Sequence, residues 1–287
     1  MSAPTVRRRR LGATLRALRG SRTLEEVAGA SSGVFTVSRI SRFENAKNAP
    51  KAKDVDALLD VLSSLGAEVS DELRKALLTL TREGGQRGWW QSYRGVLTPV
   101  YEDLISLEAD ASSFSTWQLG AIPGLLHTAE YAREIIRATA MSDAVEARID
   151  ALVEVRLARQ SILTREQPLT LWAILAEGAL RTRTADPAVM YEQLGRLLSM
   201  GARPNVNVQV LRSDAPPHVG QLSSFSILGF GDHPDLDVVH TEALTAALYV
   251  EEREHVSMYR DAMQRLTSAA ESVEHSAELI TEIRNSL

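Results

Sequence analysis

Thr36, Val37, Ser38, Arg39, Ser41 and Arg42 fall within the stretch TVSRISRFEN, where hydroxyls alternate with guanidinia around Ile40 and Phe43. Such donors reach base edges and phosphate oxygens, and one guanidinium can hold two acceptors of a guanine at once. The spacing turns this set into a surface. Ile40 and Phe43 are three residues apart, so on a helix they share one face, which must be the buried one. Ser38, Arg39, Ser41 and Arg42 then occupy the remaining surface. Thr36 precedes them and can cap the helix, its hydroxyl accepting a free backbone N–H of the first turn. A short helix anchored from behind and polar in front is what reading the major groove of double-stranded DNA requires.

The charge distribution agrees. The 287 residues carry a formal net charge of −5. Residues 1–53 hold twelve cations against Glu25, Glu26 and Glu44, a balance of +9, whereas the remainder stands at −14. A basic head on an acidic body confines contact with a polyanion to the head. The Arg7–Arg10 run is read first as the start of a helix in which Arg10 and its neighbours touch phosphate. A flexible arm seeking the negative potential of a narrow minor groove is the alternative.

Around these residues the pattern predicts five short helices. Leu11, Leu15 and Leu18 recur at helical spacing up to Gly20. Thr23 and Glu26 form a capping box for a second helix. GASSGVF makes the turn, Thr36 opens the third helix, and Asn48-Ala-Pro50 ends it. Val55, Leu58, Leu59 and Leu62 mark a fourth helix, and Leu73, Ala76, Leu77 and Leu80 a fifth. LGATLRALR, TLEEVA, SRISRFENAKNAP and DVDALLDVL together resemble an Xre-type (Cro/repressor-like) helix-turn-helix domain. The resemblance implies that Val37, Ser38, Arg39 and Arg42 face or line the groove, that Ser41 and Lys47 contact phosphate, and that Glu44 makes an internal ion pair or cap. Where that family usually has Gln early in the second helix, this chain has Leu24-Glu25, and its turn is longer.

The rest reads as an α+β domain, a mixed sheet packed with helices, so the chain is mainly α with an α+β second domain. The expected division is 1–83, a linker at 84–92 marked by three glycines in Gly84–Gly88, and 93–287. Strands are expected at Phe114–Leu119, LTLWAILAEGAL, VNVQVL, SSFSILGF and LDVVHTEAL. Helices are expected over Leu104–Ala111, around Leu126–Ile136, over 143–165 and 189–200, and across 251–286. Trp89, Trp90 and Tyr93 are expected in a core, with docking of the basic head onto the body as the alternative. GWWQSY, FSTWQLGAIPGLLHTAEYAR, VEVRLARQSIL and LDVVHTEAL with ALYVEE resemble the carboxy-terminal domain of WhiJ-like regulators of actinobacteria. That resemblance implies a transcription regulator of development or specialised metabolism, often accompanied by a small acidic partner protein and sometimes antitoxin-like. In the "PGLLxTxxYAR" element, His127 stands where Gln is usual.

Glu108, Trp117, His127 and Tyr131 mix aromatic walls with polar groups and are a candidate small-molecule pocket. The competing reading, which is preferred, puts Trp117 and Tyr131 in the core and Glu108 and His127 at the surface. His218, His233 and His240 lie near Asp232, Asp235 and Asp237, but their spacing is irregular and no metal site is expected. No cysteine is present, and neither a G-x-S-x-G elbow, a P-loop nor an H-E-x-x-H occurs, so neither an enzyme nor a cofactor is expected. No apolar run approaches the roughly 20 residues that cross a bilayer. The expected setting is the cytoplasm, and the expected assembly is a homodimer on a palindromic operator, because one helix-turn-helix reads few bases.

Overall fold

The computed structural model describes residues 6–81, 89–93, 95–231, 236–243 and 246–287. It falls into two units, Met1–Trp89 with Phe230–Leu236, and Trp90–Gly229 with Asp237–Leu287. The expected linker at 84–92 lies mostly outside the described residues, as do His233, Asp232 and Asp235.

The first unit contains α1 (Val6–Arg19), α2 (Leu24–Ala30), α3 (Val37–Glu44), α4 (Ala52–Ser64) and α5 (Asp71–Leu80). Leu15, Val27, Ile40, Val55, Leu59 and Leu77 meet in its core, as their spacing requires. Local chemistry sets the boundaries. The Thr23 hydroxyl accepts the Glu26 amide at 3.1 Å while the Glu26 carboxylate accepts the Thr23 amide at 2.6 Å, a complete capping box. Thr36 Oγ1 accepts the Arg39 amide at 3.2 Å and Ser70 Oγ the Leu73 amide at 3.1 Å. The long turn between α2 and α3 is closed by Ser31, whose hydroxyl donates to the Ala28 carbonyl at 2.7 Å and accepts the Phe35 amide at 3.0 Å. Gly33 takes φ +85° inside it, a left-handed value open to glycine without strain.

The second unit is built on a six-stranded sheet ordered β3-β2-β1-β4-β5-β6. Its strands are β1 (Ser113–Gln118), β2 (Thr170–Ala176), β3 (Val206–Leu211), β4 (Phe225–Gly229), β5 (Val238–Ala243) and β6 (Ala246–Val250). β1, β2 and β3 pair in parallel, and β4, β5 and β6 continue antiparallel from β1. The parallel half needs crossovers, which α7 (Ala129–Thr139), α8 (Asp143–Glu146) and α9 (Ile149–Arg159) supply between β1 and β2, and α10 (Glu177–Leu180) and α11 (Pro187–Gly201) between β2 and β3. α6 (Pro99–Asp110) precedes the sheet; α12 (Arg253–Ala269) and α13 (Val273–Asn285) follow it.

Pleating sorts the side chains. Trp117, Ile174, Phe225, Ile227 and Val239 point to one face and pack with Val256, Met263 and Leu266 of α12. The opposite face carries a polar row. Thr116 pairs with Ser226, Ser226 with His240, and His240 with Tyr249. The Thr116 and Ser226 hydroxyls are 2.8 Å apart, and the His240 and Tyr249 rings 5.0 Å. Trp90 and Tyr93 pack with Leu97, Ile105 and Val155, the core role expected of them, whereas Trp89 is exposed.

Four expectations change. The run LTLWAILAEGAL is strand only as far as Ala176, and Glu177–Leu180 forms α10. The stretch 143–165 is α8, α9 and a 3-10 turn, not one helix. The segment 251–286 is two helices, parted where the Glu271 amide donates to the Val210 carbonyl at 2.9 Å and Ser272 caps α13. β6 is an additional strand, whose outer residues are exposed because it closes the sheet edge.

Candidate nucleic-acid interface

The helix α3 is held from behind by three devices. Ile40 and Phe43 are buried in the first unit's core. Glu44 is buried too, and its carboxylate accepts two hydrogen bonds from Arg19 of α1, from Nε at 2.7 Å and Nη2 at 2.9 Å. That hydrogen-bonded pairing holds the Arg19 guanidinium above its ordinary pKa. The backbones of α1 and α3 come together at Gly12, where an added Cβ would meet the Glu44 carbonyl oxygen at 2.6 Å and that of Phe43 at 2.7 Å. A glycine permits this approach because it has no side chain to exclude the crossing backbone.

The outward face carries the residues singled out from the sequence. Thr36, Ser38, Arg42 and Lys47 are exposed; Val37, Arg39 and Ser41 are partly buried. Arg42 lies back along the helix, its Nε donating to the Ser38 carbonyl at 3.1 Å and its Nη2 to the Ser38 hydroxyl at 3.1 Å. Ser38 thus pre-orders the guanidinium one turn below it. Ser41 accepts from Asn45, through its carbonyl at 2.7 Å and its hydroxyl at 3.3 Å. Asn45 in turn accepts from Arg16 Nη2 at 2.7 Å.

Arg39 differs from Arg42. Its Nη2 pairs with the Asp54 carboxylate of α4 at 2.9 Å, its Nη1 donates to the Val34 carbonyl at 3.3 Å, and its guanidinium carbon lies 5.2 Å from the Phe35 ring centre and 5.5 Å from that of Phe43. Asp54 therefore positions the reading face. It was not singled out from the sequence, although its place in the first turn of α4, where it accepts the Lys51 amide at 3.4 Å, marked it as a capping carboxylate.

Arg10 departs from the expected phosphate contact. It is only 3 % exposed, and its guanidinium stacks 4.0 Å from the Phe230 ring centre within the same unit. A guanidinium desolvated on an aromatic face is not presented to a phosphate.

In the second unit, Trp117 and Tyr131 are core residues, and Glu108 and His127 are buried rather than at the surface. Each of the four is committed to partners. Glu108 accepts from Arg159 Nε at 2.8 Å and also from its Nη2; Arg159 donates a further bond to the Tyr101 hydroxyl. Trp117 Nε1 donates to the Gly220 carbonyl at 2.9 Å. His127 Nε2 lies 2.7 Å from the Ile122 carbonyl oxygen, and the Tyr131 hydroxyl accepts the Ile122 amide at 3.3 Å. The His127 and Tyr131 rings touch edge to face with centres 4.8 Å apart. Burial, reinforced by the charge of Arg156, lowers His127 from 6.5 to about 3, so its ring is neutral and Nε2–H donates to Ile122. Burial and the Arg159 charge likewise lower His240 to about 4. Among the described residues, no group of three or more His, Asp or Glu could hold a metal ion, and no helix is long and apolar enough to cross a membrane.

Residues 10–73 match the family model of a helix-turn-helix domain. No curated protein and no solved structure matches the chain. Residues 101–282 match the model described as a domain of unknown function (DUF5753), and by that match, which covers more than half its length, the chain belongs to this family.

Proposed function

We propose that this protein is a sequence-specific DNA-binding transcription regulator that lays α3 in the major groove and is controlled through its second domain. The observation that carries the reading is the two-sided build of α3. Ile40, Phe43 and Glu44 are locked inward, while Thr36, Ser38 and Arg42 stand exposed on the outer side of a helix-turn-helix domain. Arg42 and Ser38 are the base-reading pair, Lys47 and Ser41 meet phosphates, and Arg39 orients the helix through Asp54. The absence of a recognisable catalytic motif and the resemblance to WhiJ-like and Xre-type regulators favour a binding protein over an enzyme. The same resemblances support a role in development or specialised metabolism. A homodimer on a palindromic site is the assembly that would let so short a helix specify enough bases.

The test is selection of bound fragments from genomic DNA by the full-length chain at physiological salt. Enrichment of one palindromic sequence by the wild type, lost in a Ser38→Ala/Arg42→Ala variant of unchanged thermal stability, is expected. Equal recovery of fragments by both proteins would rule the assignment out.

A further inference from the structure

The two edges of the second unit's sheet are finished differently. At β3 the outer edge is covered. The Val210 amide donates to the Ser276 hydroxyl of α13 at 2.9 Å, and the Val210 carbonyl accepts the Glu271 amide at 2.9 Å. Gln209 adds a bond from Nε2 to the Glu271 carbonyl at 2.8 Å. At the other edge β6 pairs with β5 alone, and among the described residues no segment bonds to its outer backbone edge. Natural sheets blunt such an edge with lysine, proline or a bulge. The run Ala246-Ala247-Leu248-Tyr249-Val250 has no charge and no proline. Its pairing with β5 is one to one from Ala246 to Val250, without a bulge. Leu248, at its centre, is 59 % exposed.

Pleating gives this strand two rows. Ala246, Leu248 and Val250 lie on the side of α12, and Val250 shares a core cluster with Val256 and Met263 of that helix. Ala247 and Tyr249 lie on the other side. There the Tyr249 hydroxyl donates to the Val100 carbonyl of α6 at 2.8 Å, and Val100 is itself partly exposed. The strand is complementary to itself. In an antiparallel pairing of two copies about Leu248, each Ala247 faces a Tyr249 and each Ala246 a Val250, so small residues meet large ones and Leu248 meets Leu248. Directly opposed side chains, with Cβ atoms about 5 Å apart, are what stabilise paired strands. The charge pattern selects the same orientation. Glu251 and Glu252 follow the strand. Antiparallel pairing about Leu248 puts the two copies of Glu251 roughly 20 Å apart, beyond the screening length of about 8 Å. Parallel pairing would set them side by side at about 4.8 Å.

We propose that β6 is the dimerisation edge of this protein: a second copy of the chain pairs with it antiparallel about Leu248 and joins the two six-stranded sheets into one. In the single chain water serves the outer backbone groups of β6, and the partner strand replaces that water. The interface is isologous, so the same residues act on both sides of the two-fold axis. The proposal rests on the DNA-binding reading above for its purpose, and it names the surface that would hold two reading helices in one two-fold assembly.

The experiment is sedimentation equilibrium of the full-length chain at micromolar concentration, with Leu248→Lys and Leu248→Glu measured alone and mixed. A dimeric wild type is expected. Each variant alone opposes like charges across the two-fold axis and should dimerise about tenfold or more weakly. The mixture opposes Lys to Glu and should recover a heterodimer, which a merely destabilised fold would not give. Because Leu248 is largely exposed, both variants should melt with the wild type. A monomeric wild type would overturn the proposal and leave the edge to a strand of some other protein. Leu248→Lys as dimeric as the wild type would overturn it too, as would a mixture no more dimeric than its components. Dimerisation is measured without DNA, so the two readings fail separately. Dimers that depend on Leu248 but select no DNA would sink the regulatory reading alone. Selection of a palindrome by a protein whose dimers ignore Leu248 would sink this interface alone.

Discussion

At the residue scale, the two arginines of α3 have separate jobs despite lying three positions apart. Arg39 is tied to Asp54 and to two aromatic rings, whereas the Arg42 side chain hydrogen-bonds to Ser38 one turn away. Arg42→Ala should leave stability within about 0.5 kcal/mol, as surface changes do, yet weaken binding to the selected site by about 1–3 kcal/mol and relax one base position. Arg39→Ala should lower stability by no more than about 1 kcal/mol, since its side chain is 38 % exposed and water screens the pair. Asp54→Asn should reproduce that loss while sparing the guanidinium. Denaturant melts and fluorescence-anisotropy titrations of the three variants separate these outcomes; an Arg42→Ala protein with wild-type affinity refutes the base-reading role. The buried histidines make a second residue-scale prediction. His127 and His240 titrate near 3 and 4 when folded, against about 6.5 when unfolded. The unfolded chain therefore takes up protons first as the pH falls. Stability should be constant above about pH 7 and decline from about pH 6.5 towards 4, by up to about 1.4 kcal/mol per pH unit for each histidine. Urea melts at pH 7, 6 and 5 should show this, with a shallower decline in His240→Gln.

At the scale of elements, what could be read in the sequence is what local chemistry fixes. Thr23 with Glu26, and Thr36 ahead of Ile40 and Phe43, announce α2 and α3 because capping and the 3.6-residue period act over a few residues. The alternation in VNVQVL announces β3 for the same reason. β6 escaped because AALYV is a short unbroken apolar run, which shows neither the alternation of a half-exposed strand nor any mark that separates it from a helix segment. The order β3-β2-β1-β4-β5-β6 and the pairing of Glu108 with Arg159, 51 residues apart, were not legible, since they depend on contacts between distant segments. His127 was singled out as polar beside aromatics, but its burial came only with the turn that folds over it. Gly12 belongs to this scale, because its value lies in the crossing of α1 and α3. Gly12→Ala must push apart backbones that a Cβ would meet at 2.6 Å. The expected cost is about 1–3 kcal/mol, read as a lower melting temperature for the first unit, and it should tilt α3 enough to weaken every DNA contact together. A variant melting like the wild type would show that the crossing is looser than described.

At the scale of the whole molecule, the separation of charge decides how DNA is found. The basic head carries +9 and the remainder −14, so non-specific attraction and self-repulsion by the acidic remainder compete on one chain. Each cation that meets a phosphate releases condensed counterions, which makes log K fall with log salt at about −0.9 per contact on duplex DNA. Lys47, Lys51 and Lys53 are exposed near the end of α3 and the start of α4, and among the described residues Arg42 adds a fourth exposed cation nearby. Lys47→Gln and Lys51→Gln should therefore weaken binding to all sequences alike and each reduce the salt slope by about one. Arg42→Ala and Ser38→Ala should instead change which sequence is preferred. Titrations of the full-length chain on the selected site and on unrelated DNA, from about 50 to 200 mM salt, distinguish the two behaviours. If Lys47→Gln left the slope unchanged, its phosphate contact would be refuted. If it altered preference and not slope, the boundary drawn here between positioning and reading residues would have to move along α3 towards its carboxyl end.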